Sequence, residues 1–358
     1  MVTTSDKVLK ALSVRRIILP IILGLSAATW LLARNFDSEA FRHLHWSWNS
    51  TFWIIMAAFM VLIRDLAYIG RIRVLTDSEI SWYRCFIIIM LWEFASALAP
   101  GILGGGFFVA IFILNREKVN MGKSITAVLY SSFLDGLFLA VMGPLVYFSI
   151  GKEKLFSNIN PESLHQVQFG QGLYYSFWVV YFIILAYKLL VAYALFINPK
   201  TIQWLLLKIF SLPFLERWRT AAVETGEQLL IASKGLKHKN FNYWFLSLAT
   251  TFISWTARYS IVNCLVLAIN NAPVDNFILY GRQVVMGIII LVSPTPGGSG
   301  LAEFVFSDFL GEFIPTGLSA SLALLWRLMS YYPYLFVGAI ILPGWLQSVF
   351  VKHPEQIK

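Results

Sequence analysis

Charged residues are scarce in this chain. They make up 13% of its 358 residues, whereas hydrophobic residues make up 58%. Apolar runs of roughly 20 residues, the length that a bilayer crossing needs, recur along the chain and predict a polytopic membrane protein. The longest polar interval, 198–240, is only about the size of a marginal domain. We therefore expect a single transmembrane domain over 1–358 and no separate soluble domain.

Cysteine and histidine are also rare. The two cysteines, Cys85 and Cys264, lie within or beside apolar segments, which excludes a disulfide framework. The five histidines all fall in predicted loops or in the tail: His43, His45, His165, His238 and His353. His43 and His45 have no acidic or cysteine partner nearby, so we expect neither a bound metal nor another cofactor.

Motifs for nucleotide or hydrolytic chemistry are missing too. The chain has no P-loop, no G-x-G-x-x-G and no H-E-x-x-H. The stretch GGSG, 297–300, fits the G-x-S-G pattern of rhomboid-type intramembrane serine proteases. No histidine is placed to act as a base for Ser299, however. We therefore do not expect an enzyme.

The basic residues lie mostly between the apolar segments. The net charge of +9 is thus typical of membrane-flanking loops, and no nucleic-acid partner is expected. The first apolar run, after four basic residues, is longer than a typical signal-peptide core and is expected to be a retained helix. The predicted apolar segments are 17–33, 51–70, 85–114, 124–149, 173–197, 241–269, 276–310 and 317–342.

Two of these segments, 85–114 and 276–310, are too long for one crossing, and proline and glycine interrupt both. If each is a hairpin that enters and leaves on one side, 20 basic residues fall on the inside. These are Lys7, Lys10, Arg15, Arg16, Arg64, Arg71, Arg73, Arg84, Arg116, Lys118, Lys123, Lys200, Lys208, Arg217, Arg219, Lys234, Lys237, Lys239, Lys352 and Lys358. Those outside are Arg34, Arg42, Lys152 and Lys154. The positive-inside rule thus predicts two re-entrant hairpins, with both termini and the basic loop 198–240 in the cytoplasm.

The two hairpins match each other in sequence. Five residues of the first have the same spacing as five of the second: Pro100, Gly101, Gly104, Phe108 and Leu114 against Pro296, Gly297, Gly300, Phe304 and Leu310. The helix after each also matches: Ser124, Leu129 and Gly143 against Ser319, Leu324 and Gly338. Hairpins from opposite faces would form an inverted repeat, about 51–149 and 241–342. The fold expected is an all-α bundle of two inverted repeats, each with a broken re-entrant hairpin, a recurrent transporter design.

Ionisable residues inside apolar segments mark candidate sites, because buried charge in a membrane is unfavourable. They are Glu93, Asp135, Lys188, Arg258, Arg282, Glu303, Asp308 and Arg327. Glu303 lies in the first turn of the half-helix expected after Gly300, where the helix dipole favours a carboxylate. It could line a cavity, neutralise Arg327 or Arg258, or do both. The free backbone amides of Gly297 to Gly300 offer a further anion site. Three of the ionisable residues, Lys188, Asp308 and Arg282, are expected near a membrane interface.

The basic stretch 200–239 has two interpretations. It mixes basic residues with apolar runs such as TIQWLLLKIF, which suits an amphipathic helix on the inner leaflet. An ordinary positive-inside loop explains it as well and is the interpretation we favour.

The stretch SPTPGGSGLAEF followed by LALLWRLMSYYPYLFVG resembles the second half of a flippase-like family. That family includes the transmembrane domain of lysylphosphatidylglycerol synthases. The stretch ALAPGILGGGFF followed by AVLYSSFLDGLFLAVMG resembles its first half. Residues that match the family pattern are Pro296, Gly297, Gly298, Gly300, Glu303, Arg327, Pro100, Gly101, Gly104 and Asp135. Uncharged Ile102, Gly105, Phe108 and Ala302 stand where the pattern has charged residues.

The resemblance implies translocation of a membrane lipid between leaflets, without aminoacyltransferase activity. We predict a bacterial inner-membrane protein that moves a phosphate-bearing head group of an anionic phospholipid or a polyprenyl phosphate. The predicted substrate-binding residues are Glu303, Arg327, Arg258, Gly297, Gly298, Gly300, Pro296, Pro100, Gly101, Gly104 and Asp135. A small-solute or ion-coupled transporter and a membrane scaffold are the alternatives, and a homo-oligomer is compatible with each.

Overall fold

A computed structural model describes residues 46–98, 106–156, 164–212, 214–270, 273–295, 297–298 and 300–350. The expected first span, 17–33, lies outside these ranges. The helices are α1 (Trp48–Leu75), α2 (Trp82–Leu98), α3 (Phe107–Arg116), α4 (Met121–Ile150), α5 (Lys152–Leu155), α6 (Leu164–Phe196), α7 (Pro199–Ile209), α8 (Arg219–Leu236), α9 (Phe241–Ile269), α10 (Asn276–Ile290), α11 (Leu301–Leu310), α12 (Ser319–Ser330) and α13 (Tyr332–Phe350).

Side-chain caps fix where several long helices begin. The Asn120 side chain accepts a hydrogen bond from the Gly122 amide before α4, and Asn240 accepts one from Tyr243 before α9. Asp275 caps α10 in the same way. Asparagine and aspartate are favoured here because their oxygens satisfy amides that have no partner within the helix.

Within the described residues, five stretches are long and apolar enough to cross a membrane, which confirms a multi-pass helical membrane protein. They are α1, α4, the part of α6 from Gly172 to Phe196, α9, and Ser319–Val349 across α12 and α13.

Each overlong segment is divided into two helices, as its proline and glycine content suggested. The first gives α2 and α3, of 17 and 10 residues, and the second gives α10 and α11, of 15 and 10 residues. At about 1.5 Å per residue, a ten-residue helix spans roughly half of a hydrocarbon core about 30 Å thick. Gly297, Gly298 and Gly300 have φ of 56°, 70° and 87°, which a residue with a side chain rarely adopts.

The last predicted segment, 317–342, is interrupted in a way that its apolar pattern did not indicate. Helix α12 ends at Ser330 and α13 begins at Tyr332. Pro333 accounts for the break, because proline has no amide hydrogen and its ring clashes with the carbonyl four residues earlier.

The basic stretch 200–239 folds into helices α7 and α8, so the interpretation as a simple loop was wrong in its secondary structure. Helix α8 packs against α4 and α6, and α7 packs against α8. Gly226 of α8 lies against Gln203 of α7, and Gly235 lies against Thr126 of α4. The membrane-surface location of these helices stays a prediction.

Helices α1 and α9 pack along each other, and α2 packs against α13. Buried apolar side chains form two clusters, one around α2, α3 and the start of α4, the other around α10, α11 and the end of α9. Arg64 and Arg71, assigned above to the inside set, lie within α1 instead. They are 0% and 4% exposed, because each has a carboxylate partner inside the bundle.

Candidate functional site

A chamber with two lobes, lined by apolar side chains as well as by charged and polar ones, lies inside the helix bundle. The main lobe has a volume of about 370 Å³ and is lined by residues of α2, α9, α10, α12 and α13 and by Gly297 and Gly298. The second lobe, of about 260 Å³, is lined mainly by residues of α1, α2, α4 and α9. Both lobes are lined by Glu93, Ser96, Trp255 and Arg258, so they adjoin one another.

An ion pair holds the start of α11 against α12. Arg327 Nε donates to Glu303 Oε1 at 2.7 Å, and the Gly300 amide donates to Glu303 Oε2 at 2.6 Å. The predicted pairing of Glu303 with Arg327 is therefore present. Arg327 lines the main lobe, whereas Glu303 does not. Glu303 thus positions Arg327, whose Nη2 is buried without a hydrogen-bond partner among the described residues.

Arg258 lies near the middle of α9 and lines both lobes. Its guanidinium lies over the Trp255 ring, 5.2 Å from the ring centroid. Among the described residues, no carboxylate forms a salt bridge with it, so the predicted alternative pairing of Glu303 with Arg258 does not occur. The next residue, Tyr259, also lines the main lobe, and its hydroxyl is buried without a hydrogen-bond partner in the described part of the chain.

Arg64 carries a network that joins α1, α2 and α13. Its Nη2 donates to Glu93 Oε2 at 2.7 Å, and Asp65 Oδ1 lies 3.8 Å from its Nη1. Arg64 also donates to the Tyr334 hydroxyl, which donates to Asp65 at 2.8 Å. Glu93 and Tyr334 line the main lobe, so this network forms part of its wall.

Asp135 is the centre of a second network at the other lobe. Arg71 Nη1 and Nη2 donate to its two oxygens at 2.5 and 3.1 Å, and Trp255 Nε1 donates to Oδ1 at 2.7 Å. Arg71 also donates to Thr251 at 3.2 Å. Three helices, α1, α4 and α9, are thereby joined by one carboxylate. Asp135 lines the second lobe, where its bidentate pairing with Arg71 occupies both oxygens.

Two cations expected near an interface lie in the bundle instead. Arg282 is 0% exposed; it donates to the carbonyls of Lys154 and Phe309 and pairs with Glu312 at 2.6 Å. Lys188 donates to the Ser132 carbonyl at 2.8 Å. Snorkelling was the wrong expectation because both find acceptors within the protein. The Asp308 side chain lies outside what the structure describes.

The structure brings together part of the predicted site. Arg258, Arg327, Gly297 and Gly298 line the main lobe, and Asp135 lines the second. Gly300 contributes through the hydrogen bond that its backbone amide donates to Glu303. Pro296, Pro100, Gly101 and Gly104 lie outside the described residues. The prediction missed Arg64, Arg71, Tyr259 and Tyr334. The available signal for the two arginines was their position, since Arg64 lies inside the apolar segment 51–70 and Arg71 follows it directly.

Several helices long enough to cross a membrane, around a chamber that charged side chains help to line, define a multi-pass membrane protein with ionisable groups in its interior. The chain belongs to the lysylphosphatidylglycerol synthase transmembrane-region family, whose model matches residues 17–338. This confirms the resemblance inferred from the two hairpin sequences. A UPF0104 membrane protein of Archaeoglobus fulgidus is 25% identical over 320 residues, which is 85% of this chain and 86% of the relative. No solved structure matches the chain.

Proposed function

We propose that this protein translocates a phosphate-bearing lipid head group between the leaflets of the plasma membrane, with the chamber as the path. The observation that carries the proposal is Arg258. It is a cation near the middle of a membrane-crossing helix, it lines both lobes, and no described carboxylate pairs with it. A charge at membrane depth is unfavourable unless it serves a pathway or a ligand.

The re-entrant geometry and the inverted repeat are part of this proposal. The short helices α3 and α11 support it, because a helix of ten residues is too short to cross. Broken backbone at membrane depth is tolerated where it is buried in protein or lines a wet cavity. Gly297 and Gly298 line the main lobe, which fits that condition. We place both termini and helices α7 and α8 on the cytoplasmic side.

A vesicle assay tests the translocation. The full-length protein is reconstituted into phosphatidylcholine vesicles with a trace of head-group-labelled fluorescent phosphatidylglycerol, and dithionite reduces only the outer-leaflet label. The protein should make the inner-leaflet label accessible, and Arg258→Gln should slow this at least about tenfold, as expected for losing a charge-assisted contact. Arg219→Gln, the same change on an exposed arginine, should leave the rate unchanged.

The assay also separates the alternatives. The same vesicles are tested with a fluorescent polyprenyl phosphate, so that either lipid class can give a signal. If the protein leaves the inner-leaflet label of both lipids as protected from dithionite as it is in protein-free vesicles, the proposal is contradicted. A small-solute transporter or a scaffold would then be favoured. An equal loss of rate in the Arg258→Gln and Arg219→Gln variants would argue against the chamber as the path.

A further inference from the structure

The first two helices of each half of the chain are equally spaced in sequence. The ends of α1 and α9, at Leu75 and Ile269, are 194 positions apart, and so are the starts of α2 and α10, at Trp82 and Asn276. An offset of 194 therefore aligns the connection between the two helices in each half. It holds to within two positions at the outer boundaries, since the starts of α1 and α9 are 193 apart and the ends of α2 and α10 are 192 apart. The proline–glycine breaks that follow match at an offset of 196. The offset of 194 relates residues that occupy corresponding places in the two halves.

The offset makes Arg64 the counterpart of Arg258. It also relates Asp65 to Tyr259 and Glu93 to Gly287. In the first half, the two carboxylates neutralise the arginine: Glu93 at 2.7 Å and Asp65 at 3.8 Å. In the second half, a tyrosine and a glycine stand at the corresponding positions, so neither carboxylate has a counterpart beside Arg258.

The second half is left with hydrogen-bond donors that have no acceptor. Arg258 has no salt bridge with a described residue, and the Tyr259 hydroxyl is buried without a described partner. A Cβ added at Gly287 would overlap this hydroxyl, so the tyrosine fills the place of the missing side chain. Arg258, Tyr259 and Gly287 all line the main lobe.

A third donor lines the same lobe. Arg327 is 5% exposed, and its Nη2 is buried without a partner among the described residues. Its Nε is already committed to Glu303, which fixes the guanidinium in position. Buried polar groups are normally hydrogen-bonded. The buried Tyr259 hydroxyl and Arg327 Nη2, beside the half-buried Arg258, therefore indicate a missing acceptor at this cavity.

We infer that an anionic oxygen group of the ligand binds between Arg258, Tyr259 and Arg327, in place of the two carboxylates that neutralise Arg64 in the first half. The inference rests on the proposed function and names the position and chemistry of its substrate. A phosphodiester suits the site, because its several oxygens can accept from three donors around one negative charge. A lobe of about 370 Å³ has the size of a small-ligand pocket, which fits a head group.

Thermal unfolding without ligand provides the first test. The delipidated full-length protein in detergent is compared with Arg64→Gln and Arg258→Gln. Arg64→Gln should unfold several degrees lower, since it leaves two half-buried carboxylates without their cation. Arg258→Gln should unfold at the wild-type temperature or above it, because it removes a cation that forms no salt bridge with a described residue. An equal destabilisation by both changes would assign Arg258 a structural role and overturn the inference.

Ligand binding provides the second test, on the same samples. Phosphatidylglycerol, diacylglycerol and inorganic phosphate are titrated separately in detergent, and the rise in unfolding temperature gives an apparent affinity. Phosphatidylglycerol should stabilise the wild type and diacylglycerol should not. Arg258→Gln should weaken the lipid about tenfold or more, and Tyr259→Phe about three- to tenfold. The Arg219→Gln variant is the control for lipid that is attracted to surface cations. It should bind phosphatidylglycerol with the wild-type affinity.

The outcomes separate the inference from the proposed function. Unchanged lipid affinity in both Arg258→Gln and Tyr259→Phe would overturn the inference, even if the vesicles show translocation. Selective loss in these two variants would support it, even if the vesicles show none. Stabilisation by inorganic phosphate at the same concentration as the lipid, lost in Arg258→Gln, would assign the site to the free anion and overturn the lipid as its source.

Discussion

At the residue scale, the buried arginines differ in what neutralises them. Arg64, Arg71 and Arg327 each have a carboxylate within 2.7 Å, whereas Arg282 is held by two carbonyls as well as by Glu312. Removing one partner of such a pair is more damaging than removing both, because a single buried charge then remains without compensation.

The Glu303→Gln variant tests the effect of removing one partner from the ion pair at the start of α11. The glutamine can still accept from the Gly300 amide, but Arg327 loses its counterion. We expect a loss of about 3–5 kcal/mol of unfolding free energy, typical for breaking a buried pair, and a strong loss of translocation. The double variant with Arg327→Gln should regain much of the stability but no activity. Thermal unfolding measures the stability, and the vesicle assay measures the translocation. Unaltered stability of the Glu303→Gln variant would contradict the ion pair between Glu303 and Arg327.

Asp77 lies outside the membrane-crossing helices, in the connection between α1 and α2, and it pairs with Lys239 at 2.6 Å and Lys123 at 2.9 Å. Partial burial acts to raise the pKa of Asp77, but the hydrogen bonds from both lysines prevail and lower the pKa below its ordinary value. A lowered pKa stabilises the fold above the unfolded-state value of about 3.9, and this contribution is lost as the pH falls through the folded-state pKa.

Asp77→Asn should therefore reduce stability at pH 7 and equally at pH 5, and the difference from wild type should disappear only below about pH 4. We expect about 1 kcal/mol or less, because the carboxylate is 38% exposed and is screened by solvent. Asparagine tolerates the backbone φ of 54° at this position, so the change isolates the charge. Unfolding temperatures over this pH range measure the effect. A difference that grows towards acid pH would contradict it.

At the element scale, the apolar helices followed from the sequence, whereas among the buried ion pairs only Glu303–Arg327 was predicted. The apolar run predicted over 241–269 coincides with α9, because lipid exposure makes a spanning helix apolar on every side. The Arg64–Glu93 and Arg71–Asp135 pairs join residues 29 and 64 positions apart. Only the packing of α1 against its neighbours brings the partners of each pair together. For this reason the sequence alone assigned Arg64 and Arg71 to the basic residues of the inside loops.

Glycine positions in α13 give a test of helix packing. A Cβ added at Gly338 would overlap the Phe94 side chain of α2, whereas one added at Gly344 would meet nothing within 4 Å. Gly338→Ala should destabilise the protein by about 1–3 kcal/mol, the usual effect of overpacking. Gly344→Ala on the same helix should be neutral or slightly stabilising, because alanine favours helix. Detergent unfolding measures both, and similar effects would argue against close α2–α13 packing.

At the scale of the whole molecule, the proposed orientation depends on where positive charge lies. Arg64 and Arg71 no longer count as loop charges, since both are buried in α1. The inside excess survives without them, because the region 198–240 alone holds seven basic residues. The proposal therefore still places helices α7 and α8 on the cytoplasmic side and the connection between α4 and α6 on the opposite side.

Cysteine labelling tests this orientation. Glu153 and Glu216 are exposed and lie on either side of α6, whereas the native Cys85 and Cys264 are buried. In intact cells, a membrane-impermeant maleimide should label Glu153→Cys, and it should label Glu216→Cys only after permeabilisation. The reverse pattern would mean that the segment from 85 to 114 crosses the membrane fully. The first broken segment would then not turn back, and the two halves would no longer enter from opposite faces as an inverted repeat requires.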